Sequence, residues 1–90
     1  MTGKERAKLR SEGTLLNPVV HIGKEGITPE CTKNIEEALE ARELIKVNVQ
    51  RNCMTPIKEL ANTASERTKS EIIQVIGRKF VLYKESKNKK

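Results

Sequence analysis

Ninety residues with 36% hydrophobic and 33% charged side chains allow one globular domain with a real core, not two domains. No apolar run approaches the ~18 residues of a membrane span, and the first ten residues lack the apolar stretch of a secretory leader. Two cysteines, Cys31 and Cys53, cannot build a disulfide framework, so a reducing, cytoplasmic location is expected.

Residues 4–12, KERAKLRSE, are strong helix formers and predict a short first helix stopped by Gly13. Spacing of i,i+4 puts Lys4 beside Lys8 and Arg6 beside Arg10. After the Asn17-Pro18 break, the β-branched run Val19-Val20-His21-Ile22 predicts a short buried strand. It leads straight into a tight loop, Gly23-Lys24-Glu25-Gly26. Thr28, Pro29 and Glu30 then supply an N-cap, a first-position proline and a first-turn acid. Cys31, Ile35, Ala38, Leu39 and Arg42 fall on one stripe, so this second helix runs to about residue 42. Glu36, Glu37 and Glu40 form its solvated outer face.

Ile45, Val47 and Val49 alternate with Lys46, Asn48 and Gln50, the pattern of a half-buried strand. Residues 51–54 read as a loop that leaves Cys53 open to exposure, and Thr55-Pro56 repeats the cap-plus-proline start. Ile57, Leu60, Ala61 and Ala64 predict a third helix ending near Thr68. Ile72 to Ile76 reads as a strand buried on both sides, Gly77-Arg78 as a tight turn with glycine first, and Phe80 to Tyr83 as the returning strand. The tail from Lys84 is polar and basic, and is expected to be disordered. The order is α-β-α-β-α-β-β, an α/β domain over residues 1–84 followed by a basic tail, 85–90. Two successive βα units imply parallel strands with right-handed crossovers, and the final hairpin adds an antiparallel strand.

The 18 Lys and Arg against 12 Asp and Glu give +6, which points to a polyanionic partner. Residues 27–43 carry −3, while 1–26 carry +2 and 44–90 carry +7, so the molecule is sided if its ends meet in space. Phe80 and Tyr83 are the only aromatic residues, too few for a sheet that stacks a row of bases. The lone histidine, His21, lies inside a strand and reads as a packed or half-exposed side chain. No Cys/His pair has metal spacing, Cys31 sits on an apolar stripe, and no phosphate-binding P-loop follows Gly26. The expectation is therefore a binding protein with no catalytic residues, no metal and no cofactor. The G-K-E-G loop is the strongest local signal. Its glycines allow positive φ and close backbone approach, the following helix turns its N-terminus toward the loop, and Lys24 adds a cation. These features suit a phosphate backbone; a tight turn with a solvated lysine is the plainer reading. In KH domains a GxxG joins two helices, whereas here a strand precedes it.

Four separated motifs carry a resemblance: TGKERAKLR at 2–10, NPVVHIGKEGIT at 17–28, EALEARELIKV at 37–47 and QVIGRKFVLYK at 74–84. In this order they resemble the CRM domain (chloroplast RNA splicing and ribosome maturation), in particular its small stand-alone YhbY-like members. The resemblance implies a fold similar to the C-terminal domain of translation initiation factor 3 with an added N-terminal helix. Its four-stranded mixed sheet would have order 1-2-4-3, with the last strand antiparallel to the others. It implies contact with RNA, namely large-subunit ribosomal RNA or pre-ribosomal particles, with no small-molecule substrate and no membrane. The family's RNA contact would fall here on Gly23, Lys24, Glu25 and Gly26, with Lys4, Lys8 and Arg10 of the first helix. Arg78 matches the family's I-G-R turn, and Lys46 of the I-K-V strand is a weaker candidate. A monomer is expected. The alternatives are an RNA chaperone or splicing accessory acting on a non-ribosomal RNA, and a protein-interaction adaptor.

Overall fold

In the computed structural model, which describes residues 2–85, the Asn17-Pro18 break separates a helix, α1 (Gly3–Leu15), from the first strand, β1 (Val20–Ile22). There follow α2 (Pro29–Arg42), β2 (Leu44–Val49), α3 (Ile57–Thr68), β3 (Glu71–Ile76) and β4 (Lys79–Tyr83). The sheet has the order β1-β2-β4-β3. β1 runs parallel to β2, and β4 runs antiparallel to both of its neighbours. This is the mixed sheet that the family resemblance implies.

The alternation of β2 decides where the main core lies. Ile45, Val47 and Val49 face α2 and α3, and pack with Ile22, Ile35, Leu39, Leu60, Phe80 and Leu82. The register Val20↔Val47↔Phe80 continues this apolar layer from β1 through β2 to β4. Burying one such aliphatic or aromatic side chain contributes roughly 1.5–3 kcal/mol. The cap at Thr28 forms as expected: its hydroxyl accepts from the Cys31 N–H at 3.0 Å, with Pro29 in the first turn.

The opposite face of the sheet is not simply solvated, because α1 lies on it. Gly13 faces Val81, and a Cβ on Gly13 would come within 2.9 Å of Val81 Cγ1. The glycine is therefore a packing position inside the helix, and not its stop; the helix continues to Leu15. Val81 and Ile73 form the small apolar layer buried on this face. Arg6 pins the other half of α1 by donating from Nη1 to the Ile72 carbonyl at 2.9 Å and pairing Nη2 with Glu71 Oε2 at 3.4 Å.

Several expectations change. Pro56 itself occupies the N-cap of α3, which has no side-chain cap bond, so Thr55 is not the cap. β3 is not buried on both sides: it is an edge strand, with Val75 37% and Ile76 38% exposed and a register shift between Ile72 and Gln74. Cys53 is buried despite its loop position. Val19 precedes β1, and is tied to the sheet by its N–H to the Lys46 carbonyl at 3.0 Å. Lys84 is held by its N–H to the Glu43 carbonyl at 2.9 Å, so the chain is ordered past β4. The remaining tail, residues 86–90, lies outside the described residues.

Candidate nucleic-acid interface

Topology gathers three connections at one end of the sheet. β1 and β2 are parallel, so their C-terminal ends share an edge, and the β3–β4 turn falls there too. In open α/β sheets this end is where ligands bind. Hydrogen bonds lock the arrangement. The Gln50 N–H donates to the Ile22 carbonyl at 2.8 Å, and the Val49 N–H to the Arg78 carbonyl at 2.7 Å. Two successive amides at the end of β2 thus hold the loop after β1 on one side and the hairpin turn on the other.

The G-K-E-G segment is a four-residue turn closed by the Gly26 N–H to the Gly23 carbonyl at 3.0 Å. Lys24 and Glu25 occupy its exposed tip. The two glycines differ in kind. Gly26 has φ +72°, a left-handed backbone that glycine adopts freely. Gly23 has no such requirement; a Cβ there would sit 3.4 Å from Gln50 Oε1, in ordinary contact. Thr55 lies beside Gly26, its Oγ1 3.9 Å from where a Cβ would stand, so the loop after β2 backs the turn.

The helix N-terminus expected to face a phosphate is largely satisfied from within. Pro29 has no N–H, the Cys31 N–H is taken by Thr28, and Glu30 adds a carboxylate to the same turn. Recognition of an anion here falls to side-chain cations and the turn, not to the helix end. Burial pushes the Cys31 thiol up, and hydrogen bonding with the Thr28 backbone lowers it less, so it is no activated nucleophile.

Gly77 has φ +56°, as a glycine-first hairpin turn requires. Arg78 gives its carbonyl to β2 while its side chain stays exposed. Arg51 and Lys79 are also exposed at this end. Sequence reasoning named neither residue as a contact. The signal for Arg51 is topological: it follows a strand parallel to β1, so its loop must join the Gly23–Gly26 turn.

The other candidates are not brought to this cluster. Lys46 is buried, 7% exposed, and its Nζ donates to the Thr14 carbonyl at 3.2 Å. The weaker RNA-contact candidate thus lies on the face covered by α1, with its ammonium turned to the helix and not to solvent. α1 has no basic residue in its last turn, and Lys46 supplies the cation that its C-terminal carbonyls favour. Lys4 and Lys8 lie on the half of α1 that Arg6 fastens to the start of β3, the end of the sheet away from the turn. Lys8 borders a shallow depression with Glu5, Leu9, Glu12 and Tyr83. Arg10 is exposed one turn before Gly13.

Among the described residues, no group of three or more His, Cys, Asp or Glu could hold a metal ion, and no helix is long and apolar enough to cross a membrane. The arrangement defines a class: a small α/β binding domain with cation-bearing connections grouped at one end of a mixed sheet. The chain belongs to the CRS1 / YhbY (CRM) domain family, whose model matches residues 1–84. It is 44% identical to the "Probable RNA-binding protein YqeI" of Bacillus subtilis, over 100% of this chain and 94% of the relative. It is 34% identical to a Haemophilus influenzae protein named "RNA-binding protein", over 100% of this chain and 91% of that one. The solution structure of Staphylococcus aureus SAV1595 superimposes with a TM-score of 0.84 at 49% identity, covering 100% of this chain and 94% of the other.

Proposed function

We propose that this protein binds structured RNA through the Gly23–Gly26 turn and its neighbouring cations, acts in assembly of the large ribosomal subunit, and catalyses no reaction. The observation that carries the reading is the convergence of Lys24, Arg51, Arg78 and Lys79 on three connections held together by the Val49 and Gln50 amides. Phosphates accept from such cations without reference to base identity, so these contacts position the RNA and do not select its sequence. The names of the relatives support RNA as the polyanion. Lys4 and Lys8 on one side of α1, and Arg10 on another, are separate exposed cations that an RNA large enough to wrap the domain would also meet.

The test is sedimentation of the tagged protein from lysate at moderate salt, with and without nuclease. Co-migration with large-subunit or precursor particles, lost on nuclease treatment, is the expected result. Recovery of a non-ribosomal RNA instead would assign the same surface to chaperone or splicing work. Nuclease-resistant association with a protein would replace RNA binding with an adaptor role.

A further inference from the structure

α1 covers only part of the sheet face on which it lies. The row Lys46↔Val81↔Gln74 is under the helix, with Gly13 against Val81 and Lys46 bonded to Thr14. Two residues further toward the turn, roughly 7 Å along the strands, the next row on this face is His21↔Asn48↔Lys79↔Ile76. The helix ends at Leu15 and leaves this row open: His21 and Lys79 are exposed, Asn48 is half-buried and Ile76 is 38% exposed. Lys79 of this row adjoins Arg78 of the hairpin turn, and His21 borders a cleft shared with Gly23, Lys24, Glu25, Gly26 and Glu30, so the row reaches both cation-bearing turns. The Asn48 amide meets His21 Nδ1 at 3.4 Å, a long contact that leaves both groups available to an incoming partner.

We infer that this row reads an unpaired nucleotide of the RNA, with its phosphates on the turn and its base laid over His21 and Asn48. This inference rests on the RNA-binding reading above and adds the form of RNA that the site takes. The side chains argue for it. An amide donates and accepts at once, the pattern a base edge demands, and an imidazole ring can stack on a base. His21 is the one ring placed there, since Phe80 is buried and Tyr83 lies at the opposite end of β4. From His21 to Lys79 the row spans about 10 Å, two strand spacings, which accommodates a base and its sugar. In this row Asn48 is half-buried between the exposed His21 and Lys79. The paired bases of an A-form duplex cannot descend to a half-buried asparagine, whereas a splayed base can. The surrounding charge selects the occupant: Lys24, Arg78 and Lys79 outnumber Glu25 and Glu30 of the adjoining cleft, which favours a polyanion.

The test compares binding of a mixed-sequence single-stranded RNA and a perfectly paired RNA duplex of the same length. It uses the intact chain, His21→Ala alone, the His21→Ala/Asn48→Ala pair, and Lys24→Glu, each checked for an unchanged unfolding midpoint. The expected result is that the pair loses roughly 10-fold in affinity for the single strand and little for the duplex. Lys24→Glu should weaken both RNAs. The salt slope of the Asn48 effect should be flat, because no phosphate cation is removed. Crosslinking of thiouridine-substituted RNA to the peptide that contains His21 supports the same placement. If Lys24→Glu weakens both RNAs while the pair binds each as the intact chain does, the inference fails and the RNA-binding reading stands. If the intact chain binds neither RNA but still co-migrates with pre-ribosomal particles in a nuclease-sensitive way, the inference fails and the RNA-binding reading stands; if it does neither, both fail. If the pair loses a protein partner and no RNA affinity, the row is a protein-docking surface and the inference is overturned. Should the pair unfold, His21→Ala decides, since its side chain is exposed on an edge strand.

Discussion

At the start of β3, the Arg6 guanidinium reaches the Ile72 carbonyl and Glu71, and in mid-sheet the Lys46 ammonium reaches the Thr14 carbonyl. At the other end of the sheet, Arg78 contributes only its backbone carbonyl to the fold, and Lys24 stands on the tip of a turn. Both regions are rich in cations, yet one set is committed to fastening a helix and the other is left to solvent. The difference shows that net charge does not locate a binding surface. A cation marks one only when the fold has no internal use for its donors. Here the internal use arises because α1 has so thin an apolar face that hydrogen bonds from Arg6 and Lys46 must help hold it.

This contrast can be broken at four places. Reversing two of the free cations, Lys24→Glu with Arg78→Glu, should lower RNA affinity on the order of 100-fold and flatten its salt dependence. Unfolding by denaturant should be unchanged. An unaltered affinity would show that the turn end is not where RNA sits. Lys46→Met should do the reverse. Losing the charged hydrogen bond to the Thr14 carbonyl, a part-buried contact, costs about 1.5–3 kcal/mol, measurable as a lower urea midpoint, while the folded protein binds RNA as before. A Lys46→Met protein of full stability and lost affinity would return Lys46 to the RNA surface.

A smaller effect is expected at Gly26→Ala. Left-handed backbone costs a residue with a Cβ about 1–2 kcal/mol, so the variant should be slightly less stable and bind less well, whereas Gly23→Ala should change stability little. Equal stability losses at the two glycines would mean that the turn does not distinguish them. The smallest effect is expected from Lys4→Ala with Lys8→Ala: a loss of about threefold or less, in keeping with two peripheral phosphate contacts screened at physiological salt. A loss rivaling that of the turn variant would join the two basic regions into one interface.

Which features were legible in the sequence follows from how local their causes are. Thr28-Pro29 and Gly77-Arg78 signal their own geometry, because cap and turn depend on residues a few positions apart. The apolar alternation of β2 likewise places the core face. Lys46 and Gly13 were misread for one shared reason. Each depends on α1 lying over the sheet, a contact between segments 32 positions apart for Thr14 and Lys46 and more than twice that for Gly13 and Val81. Viewed locally, a polar residue in an alternating strand faces water, and a glycine after a helical run stops it. Beneath a third layer, the lysine becomes the cap and the glycine becomes the only residue that fits. The order of the strands was carried by the family resemblance and not by periodicity. At the candidate site, the Gly23–Gly26 turn was visible as a motif, whereas Arg51 and Lys79 join it only through strand direction.

The pair of amides at the end of β2 has a kinetic consequence. With Val49 and Gln50 each holding a neighbouring connection, the spacing of the two cation-bearing turns is set before any ligand arrives. Little backbone entropy remains to be lost on association, so encounter need not wait for a loop to close. Differences in affinity among RNAs should then appear chiefly as differences in residence time. Ionic strength should act mainly on the rate of arrival, and the protein would behave as a fixed gauge against which the RNA adjusts its own shape.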